Sequence, residues 1–407
     1  MRLALLGADD QTVAFVRDLT ANTTHEVVWG TELGDHETEL RQLLPRLQVG
    51  AHWESLLDRS IAAAVVVARL PDSELRIEQL RKLLQAEVPA VVMHPICEIM
   101  LLAYELEMIR TDLRGVLVPD LPDRLHPASN ALRELARRGA PQLGPLEQIT
   151  FERFLPDRSR AAVKAQFARD VDFLRWLDGD IARLAAQAGS QADSNYANLA
   201  VQMSGALELP LRWTVGPQQG TLAARIALVG SEGQAVLAIP AVAGEWTLTV
   251  ANEAIDVRTL GEVFSPAART LRELERAVSR QSLHGASWAD ACEAIELSET
   301  VQRSLKRGRT IELHDEDFSE SGRFKGTMAS LGCGLLVAGV VIALFIAVLQ
   351  WVFRLFGWRA GVIFLRRWPL LVLGLLLVFL LLQILLSIVR PADPDPPAAE
   401  DSVEPPD

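Results

Sequence analysis

The chain has 407 residues, 49% of them apolar, a net charge of −12 and three cysteines. That length supports two ordinary domains with cores of their own, and the acidic balance gives no electrostatic footprint for nucleic acid. Cys97, Cys292 and Cys333 have neither disulfide-framework nor metal-ligand spacing, which fits a reducing compartment.

Leu3–Leu6 is an apolar run closed by Gly7; it is too short for a secretion signal and reads as a first strand. Glu26–Gly30 reads as a second strand. Ala62–Ala68 is the continuous apolar type that is buried on both faces. Asp72–Glu87 reads as an amphipathic helix, with Leu75, Leu80, Leu83 and Leu84 on one side and a Glu78–Lys82 pair on the other. A strand at Val88–Met93, a helix from about Pro95 to Arg110 and a strand at Gly115–Val118 follow. Strands alternating with helices over residues 1–120 predict a parallel, Rossmann-like α/β domain.

Residues 121–313 change character. A helix is predicted over Arg160–Ala188 from the spacing of Val163, Phe167, Val171, Leu174 and Leu177. Leu199, Val201 and Met203, then Leu211, Trp213 and Val215, then Trp246, Leu248 and Val250 alternate with polar or small residues. That pattern predicts an α+β domain whose open antiparallel sheet has one side covered by helices. Its polar face (Arg212, Thr214, Thr247, Thr249) suits a homo-oligomer interface or a substrate wall. Amphipathic helices at Pro266–Leu283 and Trp288–Arg307 complete the region.

Residues 326–353 and 368–389 contain no charged side chain, and each exceeds the roughly 20 residues needed to cross a bilayer. They predict a two-helix transmembrane hairpin in contact with membrane lipid. Trp351, Trp358 and Trp368 lie near the interfaces of its Arg354–Arg367 spacer. Residues 390–407 hold six prolines and six acids and predict a disordered tail. With no export signal, the remainder is expected in the cytoplasm, although the four arginines of the spacer alone would favour the spacer on that side.

Gly7-Ala8-Asp9-Asp10-Gln11-Thr12 joins the first strand to the first helix. A dinucleotide turn requires G-x-G-x-x-G, because glycines let the backbone approach a pyrophosphate at the helix N-terminus. Only the first glycine is present, and Asp9 brings a charge that repels phosphate. A working site and a weakened one are equally compatible with this turn. Glu32 is the nearest acid after the second strand for a ribose hydroxyl. A nucleotide is expected at the C-terminal edge of the parallel sheet, over Gly7, Ala8, Asp9 and Gln11 and near Ala68, Arg69, His94 and Pro95. Arg69 would offset the charge of Asp9 and Asp10. His25, His36, His52, His284 and His314 show no ligand spacing, so no metal is expected.

Arg124-Leu125-His126-Pro127-Ala128, with Leu143-Gly144-Pro145-Leu146 after the next helix, resembles the Gfo/Idh/MocA oxidoreductases. So does the stretch from Trp288-Ala289-Asp290-Ala291 to Arg307-Gly308-Arg309, and the similarity covers about residues 1–313. The resemblance implies a Rossmann domain binding NAD or NADP and a second domain holding a small substrate, usually a sugar or polyol. The family's Glu-Lys-Pro, whose lysine assists proton transfer, reads Met93-His94-Pro95 here. His94 can act as an acid–base group or cap the next helix. The family's Asp-x-x-x-His pair reads Ala165 and Arg169, whereas Asp172 and Trp176-Leu177-Asp178-Gly179 fit. Arg169 cannot release a proton; it would bind an anionic substrate or pair with Asp172. His126, from a loop facing the substrate in that family, is the reserve base, and Arg124 would orient substrate. Two functions follow. One is a membrane-anchored NAD(P)-dependent oxidoreductase acting on a sugar-like or polyol substrate. The other is a catalytically inactive nucleotide- or sugar-binding sensor or scaffold tethered to the membrane.

Overall fold

Short runs of Val, Leu and Ala, too apolar to leave either face in water, build the centre of the first sheet. The computed structural model describes residues 1–313 apart from 190–194, 206–208, 219, 242–244, 252 and 256–263. The runs 326–353 and 368–389 and the tail 390–407 lie outside the described residues. Among the described residues no helix is long and apolar enough to cross a membrane.

The first sheet is formed by β1 (Arg2–Leu6), α1 (Asp10–Asn22), β2 (Glu26–Thr31), α2 (Glu37–Leu43), β3 (Gln48–Val49), β4 (Ala64–Val67), α3 (Ser73–Gln85), β5 (Ala90–Met93), α4 (Met100–Leu113) and β6 (Leu117–Asp120). Its order is β3-β2-β1-β4-β5-β6, every pair parallel. This is the doubly wound order, and its direction reverses between β1 and β4, where the crevice for a ligand opens. On α3, Glu78 pairs with Arg81 rather than Lys82, whose ammonium instead lies 5.6 Å over the ring of Trp53. The helix predicted from Pro95 begins at Met100, because 95–99 runs as a loop across the sheet edge.

α5 (Pro127–Arg138) leads to a nine-stranded sheet formed by β7 (Leu146–Leu155), β8 (Arg183–Gln187), β9 (Ala200–Ser204), β10 (Pro210–Pro217), β11 (Leu222–Gly230), β12 (Gln234–Pro240), β13 (Thr247–Val250), β14 (Glu253–Ile255) and β15 (Ile311–Glu312). Its order is β14-β13-β12-β11-β7-β10-β9-β8-β15. The predicted antiparallel sheet is in fact mixed: β7 and β10 run parallel. The cause is α6 (Arg160–Asp178), which follows β7 and carries the chain across one face before the later strands form. Parallel neighbours require such a crossover. Ile149, Phe151, Leu211, Trp213, Ile226 and Leu237 point to that face and meet Val163, Phe167, Val171 and Leu174 of α6. Trp213 anchors the layer. Its ring stands edge-on to Phe167 at 5.0 Å, and its indole donates at 2.9 Å to Asp170, which also accepts from Arg153. The predicted helix over 160–188 stops at Asp178. Gly179, at φ +105, ends it, and 183–187 is strand β8.

α7 (Pro266–Val278) and α8 (Trp288–Arg307) return to the first sheet. Leu271 and Leu274 pack with Leu3, Leu5 and Val66 on one face, and Trp288, Cys292 and Ile295 with Leu83 and Leu106 on the other. The Rossmann-like layer is therefore closed by the far end of the chain, and Met1–His314 is one compact unit.

Asp178 ends α6 with both carboxylate oxygens buried and no hydrogen-bond partner among the described residues. It also faces the negative end of the helix dipole. Burial pushes its pKa from 3.8 up to about 6. The folded state therefore holds this proton more tightly than the unfolded chain, so stability falls as pH rises from about 4 through 6, by about 1–3 kcal/mol in total. Asp178→Asn should raise the melting temperature by several degrees at pH 8 and leave it unchanged near pH 3.5, a contrast that thermal denaturation at the two pH values measures.

Candidate functional site

At the switch point Gly7 leaves β1 at φ +79. Asp9 caps α1, accepting from the backbone of Thr12 at 2.8 Å and its hydroxyl at 2.7 Å, while Arg69 donates to its other oxygen at 3.1 Å. Burial alone would raise the pKa of Asp9, but the Thr12 hydrogen bonds and the Arg69 charge outweigh it and hold the carboxyl below its ordinary value. The place where a pyrophosphate would meet the helix N-terminus thus holds a carboxylate neutralised by Arg69. Asp10 is exposed and lies 3.8 Å from His36.

Arg76 is the residue that sequence reading missed. Its guanidinium is fully buried and fills the space Gly7 opens: a Cβ on Gly7 would lie 2.5 Å from Nη2. Nη1 donates to Gln79 at 2.6 Å and lies 3.3 Å from Glu32, and Gln79 donates to Glu32 at 2.8 Å. Glu32, expected to meet a ribose, is therefore tied to α3. Nε and Nη2 of Arg76 have no hydrogen-bond partner among the described residues. Burial lowers its pKa against the opposing charges of Glu32 and Asp9. An arginine between Leu75 and Ile77, beside the apolar stripe of an amphipathic helix, was the available signal.

Beyond Arg69 a cavity of about 900 Å³ opens between this edge, the 95–99 loop and α6; Asp9, Gln11, Arg69 and Pro95 line it with Lys164 and Arg169. Ala68 lies buried behind the turn, 3.3 Å from the position of a Gly7 Cβ. Gln11 donates to Asp120 at 2.9 Å. Ala8 belongs to the turn and packs on the apolar layer under α1. Lys164, nearly buried, pairs with Glu98 across the cavity. It too went unread, lying one position before the family-motif residue Ala165.

His94 lies beneath the cavity lining, 2% exposed. Its ring bonds to the Ala168 backbone and its Nε2 has no partner among the described residues. Burial, then the Arg169 charge, pushes its pKa down to about 3, so it is neutral at any physiological pH. It does not cap α4, whose N-cap is Ile99. His126 is a cap instead: its Nδ1 accepts from Ala128 at 3.1 Å and its ring stacks on Trp246 at 3.9 Å. Burial, then the Arg269 charge, lowers it to about 4. It does not line the 900 Å³ cavity.

Asp172 pairs with Arg124 rather than Arg169: both are buried and the contact is bidentate, with Nε at 2.7 Å. Arg124 also reaches Asp290 at 3.3 Å. Arg169 has no ion pair among the described residues and lines the cavity. The arrangement offers one lysine–glutamate ion pair and two cations in the lining, Arg69 from the sheet edge and Arg169 from α6.

No protein-family model matches the sequence, and no curated protein matches it. The fold does match solved structures. A putative myo-inositol dehydrogenase from Sinorhizobium meliloti 1021 superposes with TM-score 0.62 at 16% identity, covering 77% of this chain and 100% of that one. A myo-inositol dehydrogenase from Corynebacterium glutamicum gives 0.59 at 17% identity, covering 77% and 99%. An oxidoreductase from Agrobacterium radiobacter, in complex with NAD+, L-tartaric acid and magnesium, gives 0.58 at 14%, covering 77% and 98%. The inositol dehydrogenases are of the Gfo/Idh/MocA type. At these identities the likeness establishes the fold, a Rossmann-like layer joined to a mixed-sheet layer.

Removing Arg124 leaves Asp172 buried without its counter-ion. Arg124→Ala should cost about 3–5 kcal/mol in urea unfolding, whereas Arg124→Met combined with Asp172→Leu should recover most of it. Equal losses in both variants would mean that packing, and not the charge pair, sets the cost.

Proposed function

We propose that this chain binds NAD or NADP along the C-terminal edge of the parallel sheet and oxidises or reduces a sugar-like or polyol substrate in the adjoining cavity. The observation that carries the reading is that cavity: it opens at the switch point of a doubly wound sheet and is lined by Arg69, Lys164 and Arg169. The residues fit a phosphate-bearing ligand in two respects. Gly7 has the positive φ the turn needs, and Arg76 keeps two N–H groups without partners beside it. Arg69 offsets Asp9, which leaves the exposed Asp10 as the one uncompensated carboxylate at the start of α1. The turn from Gly7 to Gln11, with Arg69, Arg76 and Glu32, would hold the cofactor, which supplies the hydride acceptor or donor.

Oxidising an alcohol also needs a group to take the hydroxyl proton, worth about 10²–10⁴-fold in rate. With a pKa of about 3, His94 is a weak base, and His126 is engaged as a cap. Lys164 lines the cavity and donates to Glu98; once its ammonium proton has passed to that carboxylate, its free amine would take the hydroxyl proton, so Lys164 takes that role in this reading. Arg169 orients substrate oxygens. Lys164→Met should lower kcat by about 10²–10⁴-fold, and His94→Gln and His126→Gln by far less, in a turnover assay with polyols and sugar acids. A large loss confined to His94→Gln would return the role to His94.

A second reading has its own observation. Asp9 and Arg76 occupy the space that a dinucleotide turn leaves to phosphate, which favours a catalytically inactive, ligand-binding scaffold. Titration calorimetry of the protein with NAD+, NADH, NADP+ and NADPH separates the two: heat with none of them would leave only the scaffold. In either case the uncharged runs 326–353 and 368–389 support tethering to a membrane, and the preceding residues are proposed to lie in the cytoplasm. The polar face carrying Arg212 and Thr214 is the proposed self-association surface. Digestion of those preceding residues by protease added outside intact cells would reverse the orientation.

A further inference from the structure

A second cavity, of about 450 Å³, shares no lining residue with the first. It lies between α5, the end of α6, α7 and the turn Pro122–Leu125. Arg133, Arg269, Arg272 and Arg276 line it with Glu273 and Trp176, and Arg124 forms its floor. Five guanidinium groups converge there in a chain whose net charge is −12.

The local acids do not explain this density. Arg124 is already neutralised by Asp172 and Asp290. Glu273 is buried and accepts through one oxygen from the backbone of His284 at 2.6 Å and of Gly285 at 3.0 Å; its other oxygen lies 3.6 Å from Arg276. Arg133, Arg269 and Arg272 have no ion pair among the described residues. Arg133 is held in place by stacking on Trp176, 4.4 Å from the ring centroid, and its buried Nε has no hydrogen-bond partner among the described residues. Burial and the charges of Arg137 and Arg124 lower its pKa. Cations without local counter-ions around a concave space, one of them fixed by stacking, are what an anion site requires, and planar guanidinium forks match the oxygens of phosphate in paired hydrogen bonds. The volume exceeds that of one inorganic phosphate and falls at the low end of small-ligand pockets.

We propose that this arginine-lined cavity binds a small molecule carrying a phosphate ester or diphosphate, at a site separate from the dinucleotide groove. Pyrophosphate is the minimal ligand of this chemistry and inorganic phosphate a weaker one. The site does not depend on the oxidoreductase reading, since none of its residues belongs to that cavity.

The test uses the full-length protein in non-ionic detergent at low ionic strength, with titration calorimetry and thermal denaturation read together. Pyrophosphate should bind and raise the melting temperature, more strongly than inorganic phosphate, and added salt should weaken it. Arg133→Gln and Arg272→Gln should each weaken pyrophosphate binding by about ten-fold or more. Arg69→Ala, in the other groove, should leave it unchanged. Arg272 is exposed, so its variant keeps the proposal testable even if Arg133→Gln fails to fold. The proposal is overturned if neither anion gives heat or a thermal shift, if both arginine variants bind as the parent does, or if binding is lost in Arg69→Ala alone.

Discussion

The position of Arg124 between Asp172 and Asp290 sets the geometry of everything around it. The arginine follows β6, Asp172 belongs to α6 and Asp290 to the first turn of α8, so one buried guanidinium joins the edge of the parallel sheet to helices from two later parts of the chain. Asp290 has a second duty: with Ser287 it forms the capping box that starts α8. Arg175, one turn along α6, lies 3.6 Å from the same acid and pairs with Glu293. Two charges buried together tolerate little displacement, because either one left alone would be a charge in a poorly polar interior. α6 is therefore held against the sheet edge in one rotation. That rotation turns Lys164 and Arg169 toward the cavity while Phe167 and Val171 face the mixed sheet.

A similar compensation governs the groove at the switch point of the parallel sheet. Asp9, which reads in sequence as hostile to phosphate, is bonded to Thr12 and Arg69, so the negative charge is local and balanced. Arg76 and Glu32 form a second balanced pair beneath Gly7, leaving two guanidinium N–H groups unsatisfied. The groove is close to neutral and already ordered by its own side chains. In the proposed reading a phosphate-bearing ligand would meet the guanidiniums of Arg69 and Arg76 beside the Asp9 carboxylate, and the glycine fingerprint would contribute little.

The two sheets are not successive beads. α7 and α8 cover the faces of a sheet whose last strand lies far earlier in the chain, and Leu271, Leu274, Trp288 and Ile295 are core residues of that first layer. A parallel sheet must be covered on both faces, and the helices local to residues 1–120 do not complete that cover. The late helices do, and α6 and α8 also pack on one another.

The sequence by itself determined the parts whose physics is local. β1, β4 and β5 are legible because a strand buried on both faces must be apolar throughout, and α3, α7 and α8 because one apolar stripe recurs at helical spacing. The parallel sense of the strands, the turn at Gly7 and the compensation of Asp9 by Arg69 were also legible, whereas the strand order and β3 were not. What only the tertiary structure decided involves partners distant in sequence. β7 escaped notice because alternation alone does not say which strand lies at the centre of a sheet, and the parallel β7–β10 pair exists only because α6 crosses between them. All of β8 was read as helix because Leu184 and Ala186 fit either period until Gly179 is known to break the chain's direction. Arg124 chose Asp172 over open solvent, His126 became a cap under Trp246, and Lys164 and Arg76 turned inward. Charge pairing is a matter of distance in space, and a sequence states only distance along the chain.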